Sequence, residues 1–185
     1  MQKKTYLTIA LSLLLLAIAW MILTPVIFPA VQAGSSQAAH EGFQAPDFTL
    51  LTPDGQAVTL SDTSGQPVLV FLWASWCTVC KATMPGLEPV YQEYAPQGFE
   101  ILAVNMTSQD TASSAISYFQ TQGYSFPMVL DPDGAVARQY QMHALPTSIL
   151  IGPDGIVQKV VIGAGMNAGE LRAWLDDVLT TGQGE

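Results

Sequence analysis

The sequence predicts an α/β domain, a central mixed sheet flanked by helices and extended by an added N-terminal β-hairpin. Three stretches carry that expectation. Val68–Leu69–Val70–Phe71–Leu72–Trp73 is an uninterrupted apolar run rich in β-branched and aromatic residues, the pattern of a strand buried on both faces. It leads through Ala74–Ser75–Trp76 into Cys77–Thr78–Val79–Cys80, the only cysteines of the chain. Behind them Met84, Leu87, Val90, Tyr91 and Tyr94 recur at three- and four-residue intervals, which predicts a helix with one buried stripe. Next, Glu100–Asn105 reads as a strand, followed by a crossover helix marked by Ala112, Ala115, Ile116 and Phe119, so βαβ units with a parallel centre are expected. Last, Ser148–Ile151 and Ile156–Ile162 flank Pro153–Asp154–Gly155, a closing hairpin.

The remaining elements follow in chain order. The chain has 185 residues, 49% of them hydrophobic, which suits one globular domain plus an additional segment. That segment comes first. Lys3 and Lys4 precede an apolar stretch from Leu7 to Val31, and no further charge appears before Glu41. Leu7–Thr24 is long enough to cross a hydrocarbon core, and the flanking lysines favour a cytoplasmic N-terminus. Val31–Gln32–Ala33 also has the form of a signal-peptide cleavage site; the length of the apolar stretch favours an uncleaved anchor. Both readings export the rest of the chain. The expected organisation is an anchor or signal over residues 1–33, a small, polar tether over 34–41, the α/β domain over 42–180 and a tail over 181–185.

Of six basic residues, Lys3 and Lys4 stay behind on export, leaving four against fifteen acidic ones, a balance of −11. Such a surface argues against nucleic acid and against docking on anionic lipid. Within the domain, Asp47–Leu51 and Gln56–Leu60 flank Pro53–Asp54–Gly55 as the N-terminal hairpin, expected to cover a sheet edge. Pro85 lies too deep to be a first-turn proline and is expected to kink its helix. Phe126–Leu130 predicts a strand, Asp131–Gly134 a turn and residues 135–140 a short helix. Leu171, Trp174, Leu175, Val178 and Leu179 line a closing helix that packs on the sheet.

The cysteine pair sits where a central strand hands over to the first turn of a helix. Free N–H groups and the positive end of the macrodipole there favour a thiolate over a thiol. Cys77, the outer residue, is expected to have a lowered pKa and to attack a disulfide in a partner. Cys80, one turn further in, is expected to resolve the mixed disulfide by attacking Cys77. Two thiols at this spacing exchange electrons without a cofactor, and none is expected. A zinc site would need about four ligands, and only His40 and His143 remain to supply them. A structural bridge would close only a tiny loop. Redox chemistry is the reading that fits a strand before the pair and a helix after it.

Trp73–Ala74–Ser75–Trp76–Cys77–Thr78–Val79–Cys80–Lys81, with Leu145–Pro146–Thr147 downstream, resembles the thioredoxin superfamily. It is most similar to the membrane-anchored thiol-disulfide oxidoreductases of the ResA/TlpA type. The resemblance runs from about Gly42 to Leu179 and includes Ala45–Pro46–Asp47–Phe48, Leu60–Ser61–Asp62 and Val104–Asn105. It implies a thioredoxin-like fold and a redox-active disulfide between Cys77 and Cys80. It also implies a cis bond before Pro146, facing the cysteines. The Leu145 backbone is then left to pair with an extended substrate segment, a form of strand addition. Trp76, Leu145 and Pro146 are the expected substrate-contacting residues. The task implied is reduction of disulfides in exported proteins, for instance apocytochrome c, with electrons from a membrane thiol transporter.

The family pattern breaks at two positions. Thioredoxins carry a buried acid six residues before the first cysteine, where this chain has Phe71. Many ResA-like proteins place a glutamate three residues after the second cysteine, where this chain has Thr83. Lys81 is the nearest charge and would lower a thiol pKa if it leaned toward the sulfurs, while water reaching Cys80 and Glu88 further along the helix are the remaining candidates for handling the proton. Two alternatives stand beside the reductase. Ala45–Pro46–Asp47–Phe48 is also similar to the opening of peroxiredoxins, whose frame would need proline at 70 and threonine at 74; the chain has Val70 and Ala74. A copper carrier of the kind that serves oxidase assembly would use both cysteines and a histidine, and thiolates suit Cu(I). In such carriers the cysteines stand one residue further apart, and His143 is not clearly matched.

Overall fold

The computed structural model describes Tyr6, residues 11–20 and residues 38–181. The chain divides into two units, Met1–Ser36 and Gln37–Glu185. In the first, residues 11–20 are helical (α1) and expose Leu11, Leu13, Leu14, Leu15, Leu16, Ile18 and Trp20. Among the described residues no helix is long and apolar enough to cross a membrane. Most of the stretch read as anchor or signal lies outside the described residues, as does the tail beyond Thr181.

The second unit is built on a seven-stranded mixed sheet. Its strands are β1 (Thr49–Leu51), β2 (Ala57–Thr59), β3 (Val68–Trp73), β4 (Glu100–Asn105), β5 (Met128–Leu130), β6 (Thr147–Ile151) and β7 (Val157–Ile162), in the spatial order β2-β1-β5-β4-β3-β6-β7. β3, β4 and β5 run parallel, while β6, β7, β1 and β2 join antiparallel to their neighbours. The apolar run Val68–Trp73 therefore lies between two hydrogen-bonded neighbours, and all six of its residues are buried.

Side-chain alternation divides the core into two layers. Leu69, Phe71, Trp73, Ile101, Ala103 and Leu150 face helices α2 (Thr78–Tyr94), α3 (Ala112–Gln122) and α5 (Ala168–Thr181). Val68, Val70, Leu72, Leu102, Val104 and Ile149 face the other way, toward Phe48, Leu50 and the short helix α4 (Ala135–Gln139). Met84, Leu87, Val90 and Tyr94 form the buried stripe of α2, and Leu171, Leu175 and Val178 that of α5. The Tyr94 hydroxyl donates to Asp176 Oδ1 at 2.6 Å and ties these two helices together. That bond, with burial and the carboxylate charge, pushes the tyrosine up to about 12.

Boundaries differ from the sequence expectation where backbone chemistry intervenes. β5 starts at Met128 because Pro127 has no N–H for the ladder, although Phe126 is buried. β1 starts at Thr49 because Asp47 Oδ1 accepts the N–H groups of Phe48 and Ser61, holding that end as a turn. Leu60 begins a 3₁₀ turn, Leu60–Thr63, instead of closing β2. α2 runs unbroken through Pro85 and also Pro89, both of whose rings are exposed. Residues 38–41, read from sequence as tether, dock on the body. Ala39 is buried, Gly42 N–H donates to Val157 O, and Glu41 accepts from Val160 N–H.

Candidate active site

The site forms where β3 ends. After Trp73 the chain turns through Ala74–Ser75–Trp76, closed by Cys77 N–H donating to Ala74 O at 3.1 Å. Cys77 is the N-cap of α2, and its sulfur accepts the N–H of Cys80 at 3.1 Å. A cysteine thus fills the place usually taken by Ser, Thr, Asp or Asn. The two sulfurs are joined in a disulfide with the Cα atoms 5.2 Å apart. Cys77 keeps 6% of its surface exposed and Cys80 none, so Cys77 is the more accessible sulfur. Once the bond is reduced, the N–H that now meets Cys77 Sγ and the helix terminus behind it both favour a thiolate there.

Trp76 is 56% exposed, and its indole N–H donates to Gln109 O at 2.9 Å, which holds the ring on the loop after β4. Val79, between the cysteines, is exposed as well, so Trp76 and Val79 put apolar surface beside Cys77, next to the exposed Thr78. The bond Leu145–Pro146 is cis. The register Leu72 opposite Thr147 sets Pro146 at the end of the sheet from which the cysteine turn departs. Pro146 is buried and its carbonyl accepts from Gly163 N–H at 2.7 Å. Leu145 is half-buried and, among the described residues, forms no backbone hydrogen bond. The structure therefore brings Trp76, Cys77, Cys80, Leu145 and Pro146 to one end of the sheet.

The candidates for proton handling are arranged otherwise. Phe71 is fully buried in the layer that also holds Cys80. Thr83 donates its hydroxyl to Val79 O at 3.0 Å. Lys81 is exposed and its Nζ lies 5.5 Å over the Tyr118 ring, a cation–π contact that turns the charge toward α3. Glu88 is committed elsewhere: its carboxylate accepts Ser125 N–H at 2.9 Å, Ser125 Oγ–H at 2.6 Å and Gln92 Nε2 at 2.7 Å. It braces the loop before β5. Replacing Glu88 with glutamine is expected to cost about 1 kcal/mol of stability in urea unfolding. The pH–rate profile of disulfide exchange should stay unchanged. His40 and His143 are exposed, and among the described residues no three or more His, Cys, Asp or Glu gather as a metal site.

Asp110 is a further participant, one that no motif or periodicity marks. Asp110 accepts Ser75 N–H at 2.6 Å, Ser75 Oγ–H at 2.7 Å, Asn105 Nδ2 at 2.9 Å and Thr111 N–H at 2.8 Å. Burial pushes its carboxyl up, but the donors from Asn105, Ser75 and Thr111 outweigh burial and hold it below the usual carboxylate range. It fastens the turn that presents Cys77 to the loop after β4. The signal available was positional: a polar loop following a parallel strand, at the sheet end where sites collect.

The AhpC/TSA family model matches residues 42–160. Thiol-disulfide oxidoreductase ResA of Bacillus subtilis is 38% identical over 163 residues, 88% of each chain. The sporulation thiol-disulfide oxidoreductase A of the same organism is 29% identical over 96% of this chain and all of its own. Among solved structures, StoA of Bacillus subtilis superposes with a TM-score of 0.62 at 26% identity, covering 70% of this chain and 96% of its own. The exposed lipoprotein thioredoxin Etrx1 of Streptococcus pneumoniae gives 0.63 at 26% identity, over 71% and 99%. With its thioredoxin-like sheet and a Cys-x-x-Cys disulfide at the strand-to-helix turn, the chain belongs to the AhpC/TSA family, as a thiol-disulfide oxidoreductase.

Proposed function

We propose that the protein works outside the cytoplasm as a reductase of disulfides in exported proteins, apocytochrome c among them, with Cys77 as attacking and Cys80 as resolving sulfur. The observation that carries this is the capping geometry: the more accessible sulfur accepts an N–H at the start of α2, and its partner lies buried one turn inside. Reduced Cys77 attacks a substrate disulfide, and one substrate sulfur leaves as a thiolate while the other stays bound to Cys77. Cys80 then gives up its proton and its thiolate displaces the second substrate sulfur, re-forming Cys77–Cys80. Two electrons pass to the substrate. They are restored by a thiol donor, which on this reading is an electron transporter in the membrane.

Substrate backbone pairs with Leu145 and packs against Trp76 and Pro146. Residues 1–33 serve as membrane anchor, or as a signal if cleaved, with the redox domain beginning near residue 42. An exported location fits the task, since thiols in an oxidising compartment need an active reductant. The direction of electron flow is tested by the reduction potential. A value well below that of the oxidant DsbA, about −120 mV, is expected, and a value near it overturns the reductase reading.

A further inference from the structure

Residues 143–145 lead into Pro146, and the chain is well fastened on either side of them. Upstream, the N–H groups of Gln141 and Met142 donate to Arg138 O at 3.1 Å and Ala137 O at 2.8 Å. Downstream, Gly163 N–H donates to Pro146 O at 2.7 Å, and Thr147 enters the β3–β6 ladder opposite Leu72. Between these anchors a single hydrogen bond reaches His143, Ala144 or Leu145 among the described residues. The Thr147 hydroxyl donates it, to Ala144 O at 2.7 Å.

The threonine is rigid where the loop is not. It is buried and paired on both sides, opposite Leu72 in β3 and Ile162 in β7, and its β-branched side chain has little rotamer freedom. Residues opposite one another in an antiparallel pair project to the same face. Leu72 belongs to the core layer that faces Phe48 and α4, whereas Cys77 and Cys80 belong to the other layer. The hydroxyl thus lies across the sheet from the sulfurs, and its partner is the carbonyl three residues back.

That carbonyl has a second significance. Ala144 C=O and Leu145 N–H belong to one planar trans peptide unit, so the two groups point in opposite directions. Fixing the first aims the second. Leu145 is half-buried and its side chain packs against both core layers, yet among the described residues its N–H has no partner. A partly buried N–H held in a set direction and left unbonded is available to an acceptor from outside the chain.

We propose that Thr147 is a positioning residue of the substrate site: its hydroxyl, by holding Ala144 O, aims the Leu145 N–H at the backbone of an incoming peptide. This rests on the reading of Leu145 as the residue that pairs with substrate. A hydrogen bond weakens steeply once its donor swings out of line, so a peptide unit free to rotate would pair poorly. The gain is confined to disulfides carried on a peptide backbone. A small disulfide without one has nothing for Leu145 to meet, and Cys77 attacks it equally well with or without the threonine hydroxyl.

The test uses the reduced full chain in detergent and compares second-order rate constants for three disulfides. These are a synthetic peptide closed by one Cys-x-x-Cys disulfide, the same peptide N-methylated at the residues flanking its cysteines, and 2-hydroxyethyl disulfide. Thr147→Val keeps the β-branched shape and removes the hydroxyl. It is expected to slow reaction with the peptide about fivefold, the effect of about one hydrogen bond, and to change reaction with 2-hydroxyethyl disulfide less than twofold. Thr147→Ser should restore the peptide rate. N-methylation should slow the parent and erase its advantage over the valine variant. The valine variant should unfold in urea at the parent's midpoint, because Ala144 is exposed and water takes over its carbonyl. A peptide rate within twofold of the parent, equal slowing of peptide and 2-hydroxyethyl disulfide, no rescue by serine, or a marked loss of stability overturns the proposal. If N-methylation leaves the parent's rate unchanged, the pairing role of Leu145 fails first, and the role of Thr147 with it.

Discussion

Replacing Cys80 with alanine is expected to leave Cys77 covalently joined to its partners, while replacing Cys77 leaves no such adducts. The asymmetry follows from access and from the helix start. Cys77 is the more accessible sulfur, and it receives an N–H of the kind that favours a thiolate. Without Cys80 the first displacement still runs, but nothing beneath displaces the bound substrate. Steady-state turnover should fall in both variants by about three orders of magnitude or more, because the two sulfurs act as a unit. Non-reducing electrophoresis followed by mass spectrometry reads the result and names the substrates. Equal trapping by both variants would reverse the assignment of roles.

Loss of Asp110 should have the largest effect of any residue beyond the cysteines. Its carboxylate takes four donors, two of them from Ser75 in the turn that presents Cys77. Asp110→Ala removes the acceptor and leaves Asn105, which is fully buried, without this partner for its amide. A cost of about 2 kcal/mol follows from breaking charge-assisted bonds in a half-buried network. Exchange should slow with it, about tenfold, because the turn loses its tie to the loop after β4.

The pH dependence has a definite sign. Asp110 titrates below its unfolded value of about 3.9, so its contribution is present above that pH and is lost as pH falls through the folded value. The stability gap between the parent and Asp110→Asn, measured by urea unfolding, should therefore be widest near neutrality and shrink below about pH 4. A gap that stays constant down to pH 2 would show that the charge on Asp110 is not what holds the turn.

Much of this architecture could be read from the residues, and the reasons are specific. The run Val68–Trp73 had to be central because every residue in it is apolar, and both of its neighbours prove to be full strands. The stripe Met84–Leu87–Val90–Tyr94 gave the buried face of α2, and the Cys-x-x-Cys spacing gave its N-terminus. Local polar groups were less legible. Asp47 shortening β1, Glu88 turning to Ser125 and Asp110 gripping Ser75 all join residues 14 to 37 positions apart. No periodicity reports such pairings. Residues 38–41 look like tether by composition, yet they dock because Ala39 finds a buried place and Glu41 meets an edge N–H of β7.

Everything here depends on Cys77 being held partly ionised at the start of α2 in the reduced protein. The rate of alkylation by iodoacetamide, followed at each cysteine by mass spectrometry across pH, measures that directly. Cys77 should react well before Cys80, with a midpoint below the ordinary thiol value of about 8.5. Two thiols reacting at the same rate, with midpoints at or above that value, would contradict the account.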